Sequence, residues 1–262
     1  MLTNRPIGIY NLVGWGLSQR EMFEKYKQHG FTHVGLYWHL ENEDEIAEMV
    51  KNARDFGLEI EIVHGPLRDN AEIWKEGEVA ESYFEYIKMC LANCKKFGIT
   101  KFVMHSAGKE AFKFNELGLS RFAKLVGLAK EYGITFFIEN LRTVDHSIYL
   151  LEKIQEDNFK FCLDTGHANI WCYSPMELVE KYKDRVQTVH FNDNDGIEFH
   201  DYHYIPFEGT VDWNKLMPML NKYYTGPIML ELNNFKDPNK SYTDLDEYLT
   251  NAYNAGVKLS KI

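Results

Sequence analysis

Six short apolar runs in this chain each end in a residue able to ligate a divalent cation: His64, His105, Glu139, Asp164 with His167 just beyond it, His190 and Glu231. Any one of them, taken alone, has an ordinary reading as a capping or hydrogen-bonding side chain. Together they point elsewhere. Carboxylates gathered without a counterion would be costly to desolvate, whereas a divalent ion neutralises them and imidazole completes its shell. The segment HFNDNDGIEFHDYHYIPFEGTVDW (190–213) adds Asp201 and His203, a spacing that lets one loop offer two ligands to one ion. Within it, Asp193-Asn194-Asp195-Gly196 looks like a fragment of a calcium loop but lacks the downstream Glu, so a tight turn is expected.

Such residues act together only if the fold brings the run ends to one place. Four joints of one kind recur: His29-Gly30-Phe31, Phe56-Gly57-Leu58, Phe97-Gly98-Ile99 and Tyr132-Gly133-Ile134. Each follows a helix-period stretch and precedes an apolar run, as expected of a helix ended by a left-handed Gly and feeding a strand. Asp157-Asn158, Asp184-Arg185 and Thr225-Gly226-Pro227 mark the other joints. Eight strands are predicted, at 6–10, 33–38, 58–65, 101–106, 135–140, 159–167, 186–193 and 227–233, with helical patterns between them. Strands alternating with helices imply a parallel sheet, and eight units imply a closed (β/α)8 TIM barrel over an open doubly wound sheet. No GxGxxG or GxxxxGK[ST] loop follows the first strand, which removes the simplest nucleotide-binding form of the open alternative. The length of 262 residues suits one barrel domain spanning 1–262.

In such a barrel the chemistry sits at the C-terminal ends of the strands. Side-chain alternation puts Cys162 and Asp164 on the face opposite Phe161 and Leu163, and Met229 and Glu231 opposite Ile228, Leu230 and Leu232. With the most apolar faces on the helices, Asp164 and Glu231 point into the barrel mouth. Glu59 and Glu61 lie opposite His64 and need a polar environment of their own. Trp15, Trp38, Trp74 and Trp171 fall at strand ends or in loops and are candidates for an apolar wall. For a phosphate on the substrate, the candidate contacts are Arg68, Lys109 and Arg142, each of which suits a solvated surface equally well.

Composition narrows the partners. At 45% hydrophobic and 26% charged residues the chain is ordinary for a globular protein, and a net charge of -10 disfavours nucleic acid and anionic membrane. MLTNRPIGIY holds no apolar stretch of signal-peptide length, and no run reaches the roughly 18–20 apolar residues of a membrane span, so a cytoplasmic location is expected. Cys90, Cys94, Cys162 and Cys172 form no CxxC pair, and buried free thiols are the expectation. A homo-oligomer is left open.

The segments IEN (138–140), LDTGHA (163–168), VHFNDND (189–195), DYHYIPFEGTVDW (201–213) and LEL (230–232), in that order, resemble the xylose-isomerase-like TIM-barrel superfamily, and the resemblance covers essentially the whole chain. That superfamily holds sugar and sugar-phosphate isomerases and epimerases together with endonuclease IV. The resemblance implies that Glu139, Asp164, His190 and Glu231 match the four ligands of the epimerase metal, that Glu139 and Glu231 remove and return a proton, and that His167 contacts substrate. Likeness to endonuclease IV implies up to three zinc ions, with His64 and His105 serving one of the additional ions and His167, Asp201 and His203 the other. Every position carries the matching residue type. Two departures stand out: PFEGTVDW (206–213) replaces the GEG-type loop of endonuclease IV, and the stretch from Phe191 to Tyr202 lacks the Arg that ketohexose epimerases usually supply to a substrate oxygen.

The expected function is a sugar or sugar-phosphate isomerase or epimerase that moves a proton through an enediolate. It would depend on one central divalent ion (Mn, Zn, Mg or Co), with up to three accommodated, and would have His167, Trp15, Trp38 and Arg142 against the carbohydrate. The alternatives are a multi-zinc phosphoesterase acting at abasic sites, and a dehydratase or lyase on a cyclic polyol or keto acid. A non-catalytic sugar-binding module ranks last, because binding alone has little need for so many charged ligands.

Overall fold

Eight parallel strands pair in chain order and close on themselves: β1 (Ile7–Tyr10), β2 (His33–Tyr37), β3 (Glu59–His64), β4 (Lys101–His105), β5 (Thr135–Glu139), β6 (Phe159–Asp164), β7 (Val186–Phe191) and β8 (Ile228–Leu230), with β8 returning to β1 through Ile7↔Ile228. This computed structural model describes residues 5–12, 14–38, 42–107, 113–142, 144–171 and 174–262. Closure decides between the two sheet architectures in favour of the (β/α)8 barrel. The helices that precede the four Gly joints include α1 (Gln19–Gln28), α2 (Glu43–Asp55), α3 (Glu78–Phe97) and α4 (Glu116–Glu131). Gly30, Gly57, Gly98 and Gly133 take φ of 94°, 64°, 68° and 71°, the left-handed region that the joints require. At the opposite ends, Ser18 forms a capping box with Glu21 on α1, and Asn42 and Asn115 cap α2 and α4.

Every strand is somewhat shorter than predicted, the sixth and eighth most of all. The sixth stops at Asp164 because the Asp164 side chain accepts from His167 N (2.6 Å), which starts α5 (Thr165–Ile170) where strand was expected over 165–167. The eighth ends at Leu230, beyond which Asn233 N donates to His203 O (3.0 Å), tying the chain to the loop after β7 rather than to β1.

Alternation divides the strand residues as expected. Phe161, Leu163, Ile228, Leu230 and Leu232 join the large core between strands and helices. Tyr10, Ile62, Val103, Phe137, Cys162 and Met229 form a separate buried cluster that fills the barrel. The filling is tight enough to need glycine at two positions: a Cβ on Gly35 would stand 2.6 Å from the Tyr10 ring, and one on Gly8 would stand 2.4 Å from Met229 Sδ. Toward the N-terminal ends of the strands, Glu61 pairs with Lys101 and His33 lies 3.4 Å from Glu59, which supplies the polar environment these acids need. Cys90, Cys94 and Cys162 are buried free thiols, and Cys172 lies outside the described residues. Among the described residues no helix is long and apolar enough to cross a membrane.

Candidate functional site

Every strand contributes one polar side chain at or beside its C-terminal residue: Tyr10, Tyr37, His64, His105, Glu139, Asp164, His190 and, one residue past β8, Glu231. Among the groups whose ligand-type atoms lie within 4.8 Å of one another, three hold the residues singled out in the sequence: His64, His105 and Glu139; Glu139, Asp164, His190 and Glu231; and, beyond the strand ends, His167, Asp201 and His203. Glu139 belongs to two of them. The structure thus brings together all nine residues singled out in the sequence, with His105 and Asp201 the only two that are not buried.

The histidines are oriented from the backbone. His64 Nδ1 donates to Gly65 O (2.8 Å), His167 Nδ1 to Asn140 O (3.0 Å) and His203 Nδ1 to Glu231 O (3.0 Å). A carbonyl can only accept, so each Nδ1 carries the proton and each Nε2 of a neutral ring presents a lone pair. Those lone pairs face carboxylates: His64 Nε2 is 3.2 Å from Glu139 Oε2, and His167 and His203 Nε2 are 3.2 and 2.9 Å from Asp201 Oδ1. Two lone pairs at that distance repel unless a proton or a cation lies between them. Anchoring one ring nitrogen to a carbonyl is also how metal-binding histidines are held.

The central group has its own supports. Tyr10 Oη is hydrogen-bonded to His190 Nε2 (2.8 Å), leaving Nδ1 toward Glu231 Oε2 at 3.1 Å and Glu139 Oε2 at 3.3 Å. Tyr37 donates to Glu231 Oε1 (2.7 Å). Asn192 donates to Asp164 Oδ2 (2.7 Å), while Asn140 bonds the Asp164 backbone at both N and O (2.8 and 2.9 Å). Tyr10, Tyr37, Asn140 and Asn192 are not metal-ligating types, so residue type alone does not mark them in the sequence. The signal that finds the two tyrosines is their place as the last residues of β1 and β2.

Electrostatics separate the three central acids. Burial works to raise all of them and is the largest single effect, but His190, His105 and His167 together outweigh it at Glu139, which is held well below the usual carboxylate range, and His190 with His203 does so at Glu231, which also lies below it. Burial wins at Asp164, pushing it up to about 6. His190 is raised well above its ordinary value against the effect of burial, by Cys162, Glu231 and its other neighbours, and His167 likewise by Asp164 and Asp201. Burial lowers His105.

The donor set fits a divalent ion. Glu139 Oε1, His190 Nδ1 and Glu231 Oε2 are buried without a well-formed hydrogen bond among the described residues, and three carboxylates surround a single imidazole. Converging oxygens and one nitrogen of this kind suit Mn, Zn, Mg or Co.

Beside these residues opens a cavity of about 640 Å³, lined in part by Glu231, His105, His167, Asp201 and His203 and by the apolar faces of Leu12, Trp15, Leu67, Leu141 and Trp171. Trp171 stacks on the His167 ring (5.1 Å, 29°). Trp38, expected against the substrate, is instead fully buried in the core outside the barrel, because the alternation that turns Tyr37 into the mouth turns Trp38 to the helices. Trp74 is likewise in that core, with Nε1 donating to Ser106 O (2.7 Å). Of the three candidate phosphate contacts, Arg142 lines the cavity, Arg68 is exposed and not part of its lining, and Lys109 lies outside the described residues.

The loop that carries Asp201 and His203 is organised by Asp193, a buried side chain that sequence reading placed only in a turn. Its Oδ1 accepts from Asn194 N and Val211 N (2.9 and 3.0 Å) and its Oδ2 from Phe207 N and Trp213 Nε1 (3.1 and 2.9 Å). The turn itself is present at Asp195-Gly196, where Gly196 has φ 77°.

Comparison with known proteins agrees with this architecture. A relative, the uncharacterized protein y4fM of Sinorhizobium fredii, is 25% identical over 100 residues, which is 38% of this chain and 28% of that protein's length. A solved D-tagatose 3-epimerase-like protein is 23% identical with a TM-score of 0.74, covering 95% of this chain and 98% of its own. For an L-ribulose 3-epimerase the values are 18%, 0.78, 98% and 96%. For a xylose isomerase domain protein from Planctomyces limnophilus they are 15%, 0.77, 99% and 100%. These likenesses show a shared fold. The matching family spans residues 23–252, and the chain belongs to the xylose isomerase-like TIM barrel family.

Proposed function

We propose that the protein is a divalent-metal-dependent isomerase or epimerase of a sugar or sugar derivative. The observation that carries this is the charge of the central group, where Glu139, Asp164 and Glu231 face one histidine, His190. A cation is needed there, whereas the Asp201 group already has one: Lys236 Nζ lies 2.7 Å from Asp201 Oδ2. The names of the epimerases that share the fold support the same reading.

When bound, a divalent ion supplies a Lewis acid that polarises a carbonyl and a neighbouring hydroxyl and so acidifies the C–H between them. The chain supplies the rest. Glu231, on the cavity wall, and Glu139, fully buried behind it, remove and return the proton at carbon. Tyr37 donates to Glu231 Oε1 and so fixes the orientation of the carboxylate. His167, braced by Asn140 O and by the Trp171 ring, orients a substrate hydroxyl. Trp15, Leu12 and Leu141 exclude water from the carbon that loses its proton.

A second reading, phosphoester hydrolysis by several ions, is favoured by the two outer groups and their Nε2–carboxylate pairs. Elemental analysis with two variants separates the two. The isomerase reading expects about one equivalent of ion per chain, exchange of a ketose C–H with solvent, and about a 10²–10⁴-fold loss of that exchange in Glu231→Gln with the fold intact. Two or three equivalents of zinc, with phosphoesterase activity lost in His203→Ala, would overturn it.

A further inference from the structure

Arg142 is the cavity cation whose charge is not matched. Lys236, the other cation lining the cavity, is paired with Asp201, but Arg142 has no carboxylate within ion-pair distance among the described residues. What it has is a ring: its guanidinium lies over Phe199 with Cζ 4.2 Å from the centroid. Phe199 is itself displayed at a conformational cost, with φ 72° and 53% of its surface exposed, both unfavourable for a large apolar residue. The turn that presents it is pinned, since Asp195 accepts from Ile197 N (3.0 Å) and pairs with His200 Nδ1 (2.7 Å), and His200 N donates to Ile197 O (3.0 Å).

We propose that Arg142, set against Phe199, is a subsite for an anionic group, phosphate or carboxylate, at the end of the substrate remote from the carbons that exchange a proton. The proposal rests on the carbohydrate reading of the central site. Four observations bear on it. Asp201 and Glu231 stand on the wall with Glu139 and Asp164 behind it, and the lining Lys236 is already paired with Asp201, which leaves the Arg142 guanidinium as the lining Lys or Arg charge open to an anion. Apolar side chains, Leu67, Leu141, Trp171 and Phe199, line the same cavity, with Phe199 directly against the guanidinium, and an apolar surround strengthens a charge pair. The cavity of about 640 Å³ exceeds the volume, on the order of 200 Å³, of a close-packed free hexose, leaving room for a substituent. Arg142 follows Glu139 by three residues, so their Cα atoms are at most about 10 Å apart, a span that a phosphorylated or carboxylated sugar can bridge. The subsite would also fix which end of the sugar enters first, a role the loop from Phe191 to Tyr202 cannot fill with an Arg of its own.

Calorimetric binding of three inert probes to the manganese-loaded protein tests this without turnover: xylitol, xylitol 5-phosphate and xylonate. The wild type is expected to prefer an anionic probe to xylitol by about tenfold or more, and Arg142→Gln to lose that preference. Arg142→Lys should retain part of it for the phosphate, to which a point charge suffices, and less for the planar carboxylate. The tighter of the two anions in the wild type names the group. Equal affinity for xylitol and both anions, or a preference that survives in Arg142→Gln, overturns the subsite. Failure of ketose proton exchange would instead count against the isomerase reading and leave these binding ratios to stand by themselves.

Discussion

Tyr37 makes a half-buried hydrogen bond to a charged oxygen, and such bonds contribute more than neutral ones. Tyr37→Phe removes it and leaves Glu231 Oε1 without that donor. About a tenfold or greater loss of metal affinity is expected, of the size seen when residues supporting metal ligands are removed, with the fold retained because the ring volume is nearly unchanged. Calorimetric titration of manganese into the apo protein checks this, and wild-type affinity would remove Tyr37 from the support of Glu231. The residue was hidden in the sequence for a plain reason. Ligand-type side chains announce a metal by their chemistry, whereas a phenol that steadies a ligand looks like any strand aromatic until its partner, 194 positions away, is known. Trp38 erred the other way: being next to Tyr37 in sequence put it on the opposite face of the strand. Asp164 was readable as either cap or ligand, and the structure gives it the cap while keeping it in the central group.

The segment from Asn192 to Trp213, whose Ile205, Val211 and Trp213 enter the core, is tied together by one carboxylate. Asp193 takes four N–H groups, three from main chain as far away as Val211 and one from the Trp213 indole. Gly209 passes so close to it that a Cβ there would lie 2.1 Å from Asn194 O and 2.3 Å from Asp193 Oδ1. Asp193→Asn turns one oxygen into a donor facing other donors, and a loss of about 2 kcal/mol is expected, with a drop of several degrees in Tm. Hydrogen exchange should quicken at Phe207 and Val211 while α2 and α3 keep their protection; uniform loosening of the whole chain would refute a local role. Sequence pattern reached the strands and the Gly joints because each is written in a few adjacent residues with a fixed period. It did not reach this loop, whose logic is a single side chain meeting backbone groups that carry no sequence signature.

At the scale of the molecule, the eight repeats made the closed barrel legible, and the mouth followed from the rule that its chemistry lies at strand C-termini. The charge balance there did not follow, since it depends on burial. Asp164, raised to about 6, favours its neutral form in the fold, so its contribution to stability grows as pH falls through 6 and fades above it. His190 and His167, raised well above their ordinary value, favour the charged form, whose contribution is present at low pH and lost as pH rises through the folded value. Both signs mean that the ion-free site holds protons near neutrality. Cation uptake should therefore release protons at pH 7, seen as a binding enthalpy that changes with the ionisation enthalpy of the buffer, and affinity should fall as pH drops through neutrality. A binding enthalpy independent of buffer would contradict this protonation scheme.

The plug formed by Tyr10, Ile62, Val103, Phe137, Cys162 and Met229 has a consequence for the order of events. It closes the lumen under Glu139, so whatever reaches that carboxylate must come past Glu231 and His167 on the cavity side. On the proposed reading, assembly is a queue with one door: a cation would arrive before the sugar and leave after it, and a chelator added during turnover would wait for an empty cavity.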